Sequence, residues 1–265
     1  MPYNPHAMSR SALRRQRPVP AIDERLVAPE SGAEILDGRV VMSPPCADPP
    51  HAMRHLTLAY LLGAHVAPGY TAAIDMLTRT DLTSDFAPDA SVFPVGADPE
   101  TGGRRLEVLA FEIVSKQRLS VARTKARKLA ARGVERVFAL SLKSNRAVEW
   151  DRKTREFRAM RLDETIEHRA LASALPIAAL LETAQADEAV LSALEVRRPD
   201  LVERLEARGE ARGERRAIEL ACSLLEIPID EARRGQLETA SLEELRRLSE
   251  ALSSTRRWPR PRRRR

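Results

Sequence analysis

Aromatic side chains are scarce in this sequence: two Trp, three Tyr and five Phe make up 4% of its 265 residues. That excludes the aromatic stacking platforms on which single-stranded nucleic acid is held without regard to its bases. Cysteine is scarcer still. Cys46 and Cys222 lie far apart and form no metal-ligand cluster, so they read as two inert thiols in a reducing cytoplasm. No window approaches 18 uninterrupted apolar residues, which excludes a membrane-spanning helix, and the opening Met1-Pro-Tyr-Asn-Pro-His6 has no apolar core of a signal peptide. A soluble cytoplasmic protein with no membrane partner is therefore expected. Sustained heptads are missing too, which excludes a long coiled coil.

Acid is absent from both ends. Residues 1–20 hold four Arg and residues 256–265 hold seven, so the net charge of +6 leaves −5 on the stretch between them. A mildly acidic body argues against a large DNA-coating surface, while the two basic ends either attract phosphate weakly or are simply solvated. Composition divides the chain in four. Residues 1–21, rich in Pro, Arg and Ser, are predicted to be disordered. A main domain follows over 22–185, then a helical segment over 186–255, then an Arg-rich tail over 256–265 whose prolines prevent a regular helix.

The chain is organised around residues 88–125. Ala87 to Val95 reads as a strand, and Leu106 to Ser115 is a second, nearly unbroken apolar run rich in branched residues. The turn between them centres near residue 100, so a hairpin pairs positions whose numbers sum to about 200, setting Asp89 opposite Glu112. Glu112 interrupts a face it shares with Val108, Ala110 and Val114, a costly position unless the acid is paired or holds a metal. With Val121 at zero on a helical wheel, Lys125 falls near ~40° and Leu129 near ~80°. Lys125 thus lies inside the apolar stripe that faces the sheet, and it needs a partner.

Elsewhere the sequence predicts a hairpin over 34–43 with Asp37-Gly38 as its turn, a stiff Pro-rich connector at 44–50 and a helix from His51 to His65. His51 and His55 stand four apart on that helix. No third ligand is evident beside them, and His55 reads as packing or solvent-facing. A strand is predicted over 70–80, a loop over 81–85, a helix carrying Lys125 with Gly133 as its C-cap, and strands over 134–142 and 146–150. Leu171, Leu175, Ile177, Leu180 and Leu181 should close the core. Beyond 186, the repeat Ala207-Arg-Gly-Glu-Ala-Arg-Gly-Glu214 reads as an exposed, Gly-weakened helix or linker. Two short amphipathic helices follow, Ala217 to Leu225 and Ser241 to Leu252, the second opened by the capping box Ser241-Leu-Glu-Glu244.

These residues carry a resemblance. An Asp after Pro at a strand start, a Glu in the next strand and a nearby Lys resemble the active site of the PD-(D/E)XK nuclease superfamily. Glu34-Ile-Leu-Asp-Gly-Arg39, Met42, Pro44, His51, Pro88-Asp89, Glu112-Ile-Val-Ser115, Lys125 and Gly133-Val134 follow in the order of the Uma-two family of restriction endonucleases, formerly domain of unknown function 820. The resemblance implies an α/β, restriction-endonuclease-like mixed sheet flanked by helices, with an α-helical C-terminal extension. It also implies that the Lys, which the superfamily usually places two residues after the Glu, has moved from the position of Val114 to Lys125. An Asp usual four residues before that Lys is Val121 here. On this resemblance the chain is expected to be a metal-dependent endonuclease cleaving DNA, with Asp89, Glu112 and Lys125 catalytic. Mg²⁺ or Mn²⁺ would sit on Asp89 and Glu112, with Glu34 and His51 as further candidates. Two alternatives stay open: a nuclease-like domain without turnover that binds nucleic acid, and an interaction protein working through its C-terminal helices. A metal-free ion pair of Lys125 with Glu112, and a homodimer, stay open as well.

Overall fold

Two consecutive residues with positive φ, Asp37 at 54° and Gly38 at 76°, close the first hairpin, between β1 (Ala33–Leu36) and β2 (Arg39–Met42). Such a turn matches the natural twist of the strands it joins. The structure, a computed structural model, describes residues 20–42, 49–115 and 119–259. The expected disorder of residues 1–21 therefore falls almost wholly outside the described residues, as do Cys46, most of the Pro-rich connector and the last six residues.

Helix α1 (Pro49–His65) begins two residues before His51 and is followed by Gly69 at φ 85°. The predicted strand over 70–80 is in fact two, β3 (Tyr70–Ile74) and β4 (Thr78–Asp81), placed in different sheets. Asp75 between them takes a left-handed backbone, φ 51°, which turns the chain out of the first sheet. The predicted loop over 81–85 is largely ordered: β5 (Ser84–Phe86) pairs with β4 as a hairpin. Then come β6 (Ala90–Pro94), β7 (Leu109–Val114), α2 (Leu119–Arg132), β8 (Arg136–Ser141), β9 (Arg146–Asp151) and β10 (Glu156–Ala159). Two short strands, β11 (Thr165–Ile166) and β12 (Leu175–Pro176), pair with each other before α3 (Ile177–Leu181).

The result is a mixed α/β architecture. Six strands lie in the order β10-β9-β8-β7-β6-β3, and β2-β1-β5-β4 form a second, antiparallel sheet. In the larger sheet only β7 and β8 run parallel, and α2 is the crossover such a pair requires. Gly133 ends α2 at φ 128°, and a Cβ there would meet Leu106 at 3.1 Å, so both the backbone and the space call for glycine. The α2 face of the sheet buries Ala110 of β7 with Ala126 and Leu129 of α2, together with Phe86, Val137 and Trp150. Leu171, Leu175, Ile177, Leu180 and Leu181 are all buried.

The chain separates into two units, Met1–Ala193 and Leu194–Arg265, a later division than the expected 185/186, and α4 (Thr183–Arg197) runs across it. The second unit is helical: α5 (Pro199–Leu224), α6 (Glu231–Thr239) and α7 (Leu242–Thr255) enclose Ile218, Cys222, Leu237, Leu245, Leu248 and Leu252. The Gly-containing repeat does not interrupt α5, which runs unbroken from 199 to 224. At α7 the capping box forms: Glu244 N donates to Ser241 Oγ and Ser241 N donates to Glu244 Oε2. Trp258, within the stretch expected to be a tail, packs on the helical core under the Arg233 guanidinium. Among the described residues no helix is long and apolar enough to cross a membrane.

Candidate active site

Strand β6 pairs with β7 through Ala90↔Phe111, Ser91↔Ala110 and Val92↔Leu109, positions that sum to 201. The same register carried one residue back sets Asp89 against Glu112. The side chain of Asp89 ties itself to the partner strand: Ile113 N donates to its Oδ2 at 2.5 Å. Its other oxygen looks toward α1, with Oδ1 3.3 Å from His51 Nε2.

Lys125 stands on the second turn of α2, one helical turn after Val121 and one before Leu129, and is 5% exposed. Its ammonium lies 3.0 Å from Glu34 Oε1 and 3.4 Å from Glu112 Oε2, and it donates to Ala87 O at 3.2 Å. Glu34 Oε1 also accepts from Ala87 N at 3.0 Å, so β1 is fastened to the start of β6 by the same oxygen that holds the lysine. Thus Glu34, a lesser candidate in the sequence, lies in the centre of the cluster. One turn further along α2, Lys128 bridges Asp37 at 2.6 Å and Asp81 at 2.7 Å, holding the turns of both hairpins of the smaller sheet against the helix.

Electrostatics follow from burial. Glu112 is 4% exposed, and desolvation pushes its carboxyl up to about 8; Asp89 and Glu34 push the same way and Lys125 pulls against them. For Lys125 burial favours the neutral amine, but Glu112, Glu34 and Asp89 outweigh it and hold the ammonium protonated above its ordinary range. One oxygen of Glu112, Oε1, is buried with no hydrogen-bond partner among the described residues. A buried carboxyl oxygen without a partner costs stability in the metal-free protein, and once Glu112 is ionised that oxygen is a hard donor of the kind a divalent cation takes. Asp89, set against Glu112 across the strand pair, is the other candidate ligand from the sequence.

The structure also assembles groups that the sequence kept apart. His55 is not solvent-facing: its Nε2 lies 2.6 Å from the main-chain oxygen of Asp89 and 3.6 Å from Asp75 Oδ1. Asp75 had been absorbed into a strand. A signal was present, since Asp75 interrupts an otherwise apolar Ala-Ala-Ile-Asp-Met-Leu run, but nothing in the sequence tied it to His55.

The fold is thus a mixed α/β one in which Asp89, just before β6, is set against Glu112 of β7 and Lys125 reaches Glu112 from the crossover helix. The family model described as "Uma2: Putative restriction endonuclease" matches residues 23–179, and the chain belongs to this family. A crystal structure at 1.96 Å from Anabaena variabilis ATCC 29413, titled as that of "a putative nuclease belonging to DUF820", is similar over 57% of this chain and 90% of its own. Its identity is 16% and its TM-score 0.47. No curated protein matches the chain.

Proposed function

We propose that this protein is a metal-dependent endonuclease that hydrolyses phosphodiester bonds in DNA, with Asp89 and Glu112 as cation ligands and Lys125 as the charge-stabilising catalytic residue. The observation that carries this reading is the unpartnered buried oxygen of Glu112 beside Asp89 and Lys125. The family's description supports a nuclease, and DNA is the substrate a restriction endonuclease takes. A divalent ion such as Mg²⁺ or Mn²⁺, when bound, neutralises charge at the phosphate and makes a water more acidic.

The chain's own residues have separable roles. Ile113 N–H fixes one oxygen of Asp89 and leaves the other for a ligand. Glu112 must give up its proton to serve as a ligand, which its carboxyl does only near pH 8 in the metal-free protein. Lys125 is kept protonated, so it acts as a fixed positive charge near the phosphate rather than as a general base. Glu34 and Ala87 O hold that ammonium in place. His51, at the start of α1, steadies Asp89 Oδ1.

A second reading is a nuclease-like domain that binds nucleic acid without turnover, or that works as a protein-interaction module. It is favoured by Val114, which fills the position where the superfamily usually has its lysine, and by an ion pair that already neutralises Lys125. Supercoiled plasmid incubated with Mg²⁺ or Mn²⁺ separates the two. Wild type is expected to nick or linearise it, while Asp89→Ala and Glu112→Gln lose cleavage yet stay folded by circular dichroism. Cleavage surviving in both variants would refute the assignment.

A further inference from the structure

We propose that His55 and Asp75 join Asp89 in a second cation seat, on the α1 side of the Asp89 carboxylate, which takes a divalent first-row transition ion in preference to Mg²⁺. Among the described residues this trio is the group of His, Cys, Asp or Glu side chains spaced to hold a metal, with its ligand atoms all within 4.8 Å of one another. An ion with bonds of about 2.1 Å needs cis donors about 3 Å apart and trans donors about 4.2 Å apart, so a small contraction suffices. Glu112 is not a member of the trio. The seat is therefore distinct from the pair proposed above, while Asp89 is common to both.

Charge makes the same point independently. Asp75, Asp89, Glu112 and Glu34 gather about one lysine, whose ammonium is engaged by Glu34 and Glu112. Neither of the first two carboxylates has an ion-pair lysine or arginine partner among the described residues; the ion-pair contacts each makes there are to imidazole, and Asp89 also accepts from Ile113 N. Glu112 Oε1, on the neighbouring strand, is buried without a hydrogen-bond partner among the described residues.

The donor types choose the metal. Mg²⁺ prefers an all-oxygen shell, whereas an imidazole nitrogen among carboxylates shifts preference toward transition ions. Because a carbonyl only accepts, His55 Nε2 carries its proton in the contact with Asp89 O. Seating a cation moves that proton to Nδ1 and frees the Nε2 lone pair. The Asp75 side chain is 64% exposed, so the seat opens to solvent and leaves positions for water or a phosphate oxygen.

The inference rests on Asp89 as a cation ligand but not on hydrolysis, and it is tested without nucleic acid. Mn²⁺ binding is followed by loss of the free-ion electron paramagnetic resonance signal, with Mg²⁺ as competitor, for wild type, His55→Gln, Asp75→Asn and Glu112→Gln. Wild type is expected to need Mg²⁺ in at least about tenfold excess to release Mn²⁺. His55→Gln and Asp75→Asn should each weaken Mn²⁺ binding by about tenfold or more, whereas Glu112→Gln keeps the Mn²⁺ preference. Asp75 is exposed, so its variant reads the seat even if His55→Gln misfolds. Unchanged Mn²⁺ binding in Asp75→Asn, no Mn²⁺ binding by wild type, or loss of all binding in Glu112→Gln alone overturns the proposal. In the last case the function proposed above still stands. Conversely, absent cleavage together with Mn²⁺ binding lost in Asp75→Asn sinks that function and leaves this seat.

Discussion

At the scale of single residues, the candidate site turns on the protonation of Glu112 beside a charged Lys125. Burial pushes the Glu112 carboxyl up to about 8 in the fold, from 4.5 for an ordinary glutamate, so between those values the folded protein holds the extra proton. Stability without metal should therefore fall as pH rises through the window from 4.5 to 8, by up to about 1.4 kcal/mol per pH unit, and level off above it. Denaturant melts in a chelating buffer at pH 5.5, 7 and 8.5 are expected to show that slope in wild type and lose it in Glu112→Gln. Lys125→Met tests the other partner. It leaves Glu34 and Glu112 buried without their cation, and at pH 8.5 should cost about 3–5 kcal/mol; at pH 6 the cost should be smaller, because Glu112 then carries its own proton. Equal losses at the two pH values would show that Glu112 stays ionised throughout. Glu112 and Lys125 were legible in the sequence because each violates its local pattern, an acid in an apolar strand and a lysine in an apolar stripe, whereas Glu34 came from the family resemblance alone. Asp75 and His55 were not, since their meeting depends on a backbone turn at φ 51° that no residue type near Asp75 announces.

Elements tell a similar story about what local pattern can reveal. The register of β6 and β7 followed from turn position alone, and the α7 capping box from four residues, because both are settled by neighbours in sequence. Strand β10 and the split of β3 from β4 escaped notice. Glu156 and Arg158 are charged, exposed positions in the four-residue β10, and such an edge strand is held by its neighbour β9 rather than by its own apolarity. Helix α5 settles the repeat as helix rather than linker. Ala, Arg and Glu are strong helix formers, and over the repeat they outweigh two glycines that each cost about 1 kcal/mol. Gly209 and Gly213 have negative φ and nothing within 4 Å of an added Cβ. Replacing both with Ala is thus expected to raise the stability of the helical unit by about 1–2 kcal/mol, read from the thermal melt. No gain, or a loss, would mean that the glycines meet something when the protein is at work.

For the whole molecule, charge is carried at the ends and chemistry in the middle. Five of the seven C-terminal Arg lie in residues 260–265, beyond Trp258, which belongs to the helical core. Truncation after Pro259 keeps that core and removes the five. If all engaged duplex DNA they would contribute about −4.5 to the slope of log K against log salt, and partial engagement roughly half of that. The truncated protein is expected to bind DNA more weakly at low salt with a flatter slope, while retaining cleavage at saturating DNA. Anisotropy titrations at several salt concentrations check it, and identical slopes would leave the tail without a role in binding. The placement of Trp258 has one more consequence. The chain has two tryptophans, and they are divided between its units: Trp150 is buried in the sheet core, and Trp258 rests on the helical core. Each unit thus carries its own intrinsic fluorophore. Trp258→Phe leaves emission that reports on the sheet alone and Trp150→Phe leaves emission from the helices alone, so that two single-colour melts can time the loss of one unit against the other without any added label.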